Sequence, residues 1–124
     1  MLSLKATLKA IGESITTIKT ALDGKATKYT GYGTPVTLTT SWYTIPSDGM
    51  VQLGLQNANS LYMYVKIANN DGSKEVELRL STPTGSYMMG YPTMQASVFE
   101  GQKVKISGTN ASGSNTFARF VPFV

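Results

Sequence analysis

Glu75 and Glu77 are the one close pair among the seven carboxylates of this 124-residue chain, the others being Glu13, Asp23, Asp48, Asp71 and Glu100. Two residues apart on a strand, their side chains would share a face at a separation compatible with the roughly 5 to 9.5 Å used in glycoside hydrolysis. The competing reading is a solvated strand face, because the pair alternates with Val76 and Leu78 and is followed by Arg79. Histidine and cysteine are absent. That removes disulfides, Cys/His zinc sites, thiol nucleophiles and imidazole acid–base chemistry. The expectation is a non-enzymatic protein with no catalytic residues, no metal and no cofactor.

Two kinds of element must position whatever these side chains do. The first is a helix. Leu4, Leu8, Ile11, Ile15, Ile18 and Leu22 recur at intervals of four and three, a line narrower than the stripe by which a helix packs on a globular core. The a positions are Met1, Leu8, Ile15 and Leu22, and the d positions are Leu4, Ile11 and Ile18. Leu at a with Ile at d, or Ile at both, favours three or four strands over two, so a trimeric coiled coil over 1–24 is expected. The flanking positions, Lys5, Gly12 and Lys19 on one side and Thr7, Ser14 and Ala21 on the other, supply no ion pairs between strands. About 33 Å of helix is marginal as an isolated coil, so the domain behind it should trimerise as well. The alternative is a helix folded back on its own domain, against which Gly24 and the polar stretch after it read as an exit.

The second kind is short strands. Residues 25–35 read as a polar, glycine-punctuated linker, and 36–124 as one antiparallel β-sandwich domain. Candidate strands are Val36–Thr40, Trp42–Ile45, Met50–Gln56, Leu61–Ile67, Glu75–Leu80, Ser86–Gly90, Ala96–Phe99, Lys103–Ser107 and Thr116–Phe123. Alternation puts Leu61, Met63, Val65 and Ile67 on a core face with Tyr62, Tyr64 and Lys66 opposite, and Val76, Leu78 and Leu80 inward with Glu75, Glu77 and Arg79 outward. Asp71-Gly72 is a hairpin signal. Gly31-Tyr32-Gly33 lacks the third glycine and the preceding strand of a phosphate loop. The net charge is +4, but 1–28 carry five lysines against Glu13 and Asp23, so the rest of the chain is near neutral. No basic patch is concentrated in sequence, and no apolar run is long enough for a membrane span or a signal-peptide core. Neither nucleic-acid binding nor membrane insertion is expected.

The order of heptad stalk, glycine-rich linker and Val-Thr-Leu-Thr-Thr-Ser-Trp-Tyr-Thr-Ile-Pro-Ser-Asp-Gly-Met-Val at 36–51 resembles bacteriophage and prophage tail-fibre and receptor-binding proteins. Phe99–Ile106 followed by Phe120-Val121-Pro122-Phe123 is similar to the closing strands of small trimeric fibre heads, including jelly-roll folds of the tumour-necrosis-factor and C1q type. The chain is short for a complete tail fibre and has no recognisable virion-docking segment. The resemblance implies a homotrimer on a virion, or otherwise extracellular, whose jelly-roll-like head contacts a host cell-surface glycan or protein. The alternatives are a structural virion element that binds another virion component and has no receptor, or a secreted adhesin or lectin module.

A sugar site of the kind such heads use needs an aromatic face for the pyranose and amide or carboxylate groups for its hydroxyls. The candidates are Trp42, Tyr62, Tyr64, Tyr87, Tyr91 and Asn70. Each has a second reading. Trp42 could fill the core or a subunit interface, Tyr62 and Tyr64 could pack between subunits, and Asn69-Asn70-Asp71 reads as a hairpin turn, one carboxylate being thin for calcium. Phe117, Phe120 and Phe123 could lie in the core or at the trimer axis. A nucleic-acid-binding barrel would instead use Lys66, Arg79, Lys103, Lys105 and Arg119, with Tyr62 and Tyr64 stacking on bases.

Overall fold

The fold is that of a computed structural model, which describes residues 3–25, 29–84 and 90–124. The N-terminal helix, α1 (Leu4–Lys25), begins where Ser3 can cap it: the Ala6 N–H donates to Ser3 Oγ at 3.2 Å and the Thr7 N–H to the Ser3 carbonyl at 3.0 Å. Thr16, Thr17 and Thr20 each donate their hydroxyls to the carbonyl four residues back, which keeps these poor helix formers compatible with the helix interior. Every side chain described on the helix, Ser3 through Ala21, is exposed. Leu4, Leu8, Ile11, Ile15 and Ile18 are 52–75% exposed. The side chain of Leu22, and Met1 altogether, lie outside the described residues.

Among the described residues eight strands follow: β1 (Val36–Thr37), β2 (Tyr43–Thr44), β3 (Gly49–Gly54), β4 (Tyr62–Ala68), β5 (Glu75–Ser81), β6 (Thr93–Val98), β7 (Lys103–Thr109) and β8 (Phe117–Pro122). They form two four-stranded antiparallel sheets, sheet A in the order β1-β8-β3-β6 and sheet B in the order β2-β7-β4-β5. The protein is therefore mostly β with one N-terminal helix. The inward residues of the two sheets make the core: Val51 and Leu53 of β3, Met63, Val65 and Ile67 of β4, Val98 of β6, Val104 of β7, and Ala118 and Phe120 of β8. Leu38, Ile45 and Leu55 join them from segments outside the strands.

Gly49 and Gly54 set how closely β8 can pack on β3. A Cβ on Gly49 would strike the Val121 carbonyl and the Phe120 ring, and one on Gly54 would strike the Phe117 ring. Residues 30–33 run along the end of β8: the Thr30 and Gly31 N–H groups donate to the Val124 carbonyl at 2.6 and 2.9 Å, and the Gly33 N–H to the Pro122 carbonyl at 2.8 Å. Tyr29 packs on Phe123 with ring centroids 5.3 Å apart.

Several expectations are corrected. Val76 shares the inner face with Leu78 and Leu80, opposite Ile67, but is not buried: it is 59% exposed, because β5 is an edge strand whose hairpin end is uncovered, and burial builds only toward Leu80. The first two strands are shorter than the alternation suggested, Leu38 being buried from a loop that hydrogen-bonds to Ala118. Of Phe117, Phe120 and Phe123, only Phe120 is core; Phe117 lies over Gly54 on the outer face of sheet A, and Phe123 sits beside Tyr29 and Tyr32. The candidate strand at Ser86–Gly90 falls outside the described residues except for Gly90.

Candidate functional site

The outer face of sheet B brings charged and aromatic side chains together. Antiparallel pairing lays it out in rows: Lys105 of β7, Lys66 of β4 and Glu77 of β5 make one row, and Lys103, Ala68 and Glu75 the next. On the other side of the first row, Gly108, Tyr64 and Arg79 line up, followed by Tyr62 and Ser81. A β-bulge between Tyr64 and Val65 inserts Ser107 into β7, and its hydroxyl donates to Glu77 Oε2 at 3.1 Å. Such a bulge re-aims a side chain, and here it fixes the Glu77 carboxylate across β4.

Two aromatic clusters flank the lysines. Trp42, just before β2, is 39% exposed, with Lys105 Nζ 4.7 Å and Lys103 Nζ 5.6 Å from its ring centroid. The Arg79 guanidinium sits 4.8 Å over the Tyr64 ring, and Tyr62 and Tyr64 are 5.0 Å apart, resting above Gly108. Arg79 Nε also donates to Glu77 Oε1 at 2.6 Å. That bond, ahead of the one from Ser107, holds the Glu77 carboxyl below its ordinary range. A glycosidase general acid needs the opposite shift. Glu75 lies 3.9 Å from Lys66 Nζ.

Sequence reasoning placed Trp42, Tyr62 and Tyr64 in one candidate set, and the structure brings these three to one face. Core filling is excluded for Trp42 by its exposure. Asn70 does not join them: it is exposed in the β4–β5 turn, where the Ser73 N–H donates to Asp71 Oδ1 at 2.9 Å and Gly72 has φ +75°. That turn and Glu100–Gln102 border an open hollow of about 520 Å³ at one end of the sandwich. Tyr91, 58% exposed, lies two residues before β6 of sheet A, and Tyr87 lies outside the described residues. Lys103 and Lys105, which complete the Trp42 cluster, are suggested by the sequence only through the nucleic-acid alternative. The Lys103-Val104-Lys105-Ile106 alternation is their signal.

Sheet A presents a different outer face. Arg119 Nε donates to Gln52 Oε1 at 2.9 Å and packs 4.4 Å over the Phe117 ring, while Gln52 reaches Gln95 at 3.4 Å. These residues, with Tyr32, Pro35, Met50 and Val121, line two shallow hollows of about 480 and 300 Å³. Among the described residues no group of three carboxylates could hold a metal ion, and no helix is long and apolar enough to cross a membrane. No family model, no curated protein and no solved structure matches this chain.

Proposed function

We propose that the chain is a homotrimeric, non-enzymatic attachment protein of the phage or prophage fibre kind, with α1 as a coiled-coil stalk and the β-domain as a head that contacts a host cell surface on behalf of a virion. The observation that carries this reading is the uncovered seam: Leu4, Leu8, Ile11, Ile15 and Ile18 lie along one line of a capped helix, each more than half exposed. Five aliphatic side chains left in water on a helix this short need a cover, and copies of the same seam supply one that fits.

A jelly-roll head is supported by the strand order. The first strand pairs beside the eighth, the second beside the seventh, the third beside the sixth and the fourth beside the fifth, which is the nesting that two wrapped Greek keys produce. Sheet A is the face we assign to the threefold axis. Residues 26–28 are all that separate Lys25 from Tyr29, and four chain steps reach at most about 14 Å, so a stalk on the axis keeps the β8 side of the head near it. The composition of the two faces agrees. Subunit interfaces are depleted of lysine and carboxylates at their centre; sheet A offers Tyr32, Met50, Phe117, Val121 and two glutamines around the single charge of Arg119, whereas sheet B carries four cations and two carboxylates.

A trimeric stalk multiplies a weak head site threefold, which is how modest contacts give firm adhesion. Light scattering on the full chain should return three times the 13.3 kDa chain mass, and labelled trimer should decorate host cells. A monomer at micromolar concentration overturns the reading. A trimer that decorates no cell overturns attachment and leaves a structural virion element.

A further inference from the structure

We propose that the outer face of sheet B binds an acidic polysaccharide, with Lys66, Lys103 and Lys105 taking its anionic groups and Trp42, Tyr62 and Tyr64 packing against its sugar rings. This rests on the trimeric fibre reading in one respect: the face is free because sheet A turns to the axis.

The lysines carry the argument. Lys66 of β4 stands directly opposite Lys105 of β7, and Lys103 lies two residues along the same face. Like charges directly opposite on a sheet destabilise it, and an anion from outside removes that cost. The face's own carboxylates leave two of these lysines, Lys103 and Lys105, unanswered. Glu77 is held by Arg79 and Ser107, and Glu75 lies against Lys66. Among the described residues, neither Lys103 nor Lys105 has a carboxylate within ion-pair distance; both ammoniums are instead gathered over Trp42. The single tryptophan of the chain is thus kept at the surface as the floor of a two-cation site, and an exposed aromatic of this size suits the apolar side of a pyranose.

Charge density decides between polyanions. Nucleic acid carries a charge at every backbone step and is met by a continuous basic track. Here four cations are interspersed with two carboxylates, and Arg119 belongs to the other sheet. A polysaccharide with one anion per sugar or per repeat matches cations spaced between aromatic rings.

The test titrates full-length protein with a panel of carboxylated bacterial polysaccharides, each beside its carboxyl-reduced form, and with oligothymidylate. At least one acidic polysaccharide should bind with Kd at least tenfold below its reduced form. Lys105→Gln and Trp42→Ala should each weaken that binding about tenfold, the worth of one charge-assisted contact, with mass unchanged and Tm no lower for Lys105→Gln, so that the result survives if Trp42→Ala fails to fold. Equal binding of reduced and native forms, tighter binding of oligothymidylate, an unaffected Lys105→Gln, or no binding across the panel overturns the proposal. A monomeric mass with acidic binding intact overturns the stalk and upholds this site; a cell-binding trimer indifferent to polysaccharide charge does the reverse.

Discussion

Asp48 ties three distant parts of the chain together. Its Oδ2 accepts the Tyr29 hydroxyl at 2.9 Å, its Oδ1 accepts the Glu100 N–H at 3.0 Å, and its carbonyl accepts the Phe123 N–H at 3.0 Å. The Glu100 N–H, then the Tyr29 hydroxyl, holds the carboxyl below its ordinary pKa, and the bond to Asp48 raises that of Tyr29. A carboxyl depressed on folding contributes stability that is complete above its unfolded pKa and is lost as pH falls through the folded one. Asp71 and Glu77 are depressed as well, Asp71 by Ser73 and Glu77 by Arg79. Thermal melts should therefore show Tm falling as pH drops below about 4, the ordinary carboxylate range. Asp48→Asn should melt below the wild type at pH 7, and the gap should close in acid; a gap independent of pH would show that charge is not what Asp48 contributes. Gly49 gives a sharper stability prediction. Its missing Cβ is occupied by the Val121 carbonyl, which is backbone and can move only with β8. Gly49→Ala should cost about 2–3 kcal/mol, read from denaturant unfolding.

Helix and strands differ in how much of their stability is their own. The helix has a cap, but the back-bonding of Thr7, Thr16, Thr17 and Thr20 slightly weakens it, Gly12 costs it about 1 kcal/mol relative to Ala, and its Lys9–Glu13 pair is 4.0 Å apart, exposed and in the less favourable order. It should persist only where its seam is covered. Ile15→Asp, a charge at the centre of that seam, should abolish helical circular dichroism and leave the melting of the β-domain within about 3 °C of the wild type, because no described helix side chain is buried. A matching fall in β-domain Tm would mean that the helix supports the head directly. The helix was legible in the sequence because its seam is a local signal, one residue predicting the next three or four along. The strands were legible wherever one face is buried along its whole length, as Met63, Val65 and Ile67 are in the central β4. At Val76 alternation gave the face but not the exposure, which position in the sheet decides. For the site, the same alternation found Tyr62 and Tyr64. The rows that set Lys105 against Lys66, and Lys103 and Lys105 over Trp42, depend on β7 pairing between β2 and β4, contacts separated by about forty to sixty residues that no local pattern encodes.

In the whole molecule, a stalk of three heptads and a head face of mixed apolar and amide groups each supply part of the association, and the division between them is measurable. Chain lacking residues 1–24 retains the described sandwich and sheet A intact, so it should remain trimeric, with a dissociation constant weakened into a range that light scattering at varied concentration can follow. Placing Met50→Asp in that truncated chain puts a charge among Tyr32, Pro35, Val121 and the two glutamines; it should give a folded monomer with an unchanged β-sheet spectrum. Lys105→Gln in the same background should leave the trimer untouched, since it changes only the opposite face. If the truncated chain is already monomeric, the stalk is the sole trimeriser, sheet A is a second free surface, and its Arg119 hollow becomes available to a ligand. If instead Lys105→Gln dissociates the trimer while Met50→Asp does not, the two sheets exchange roles: the tryptophan and tyrosine face packs at the axis, and the attachment surface belongs to sheet A.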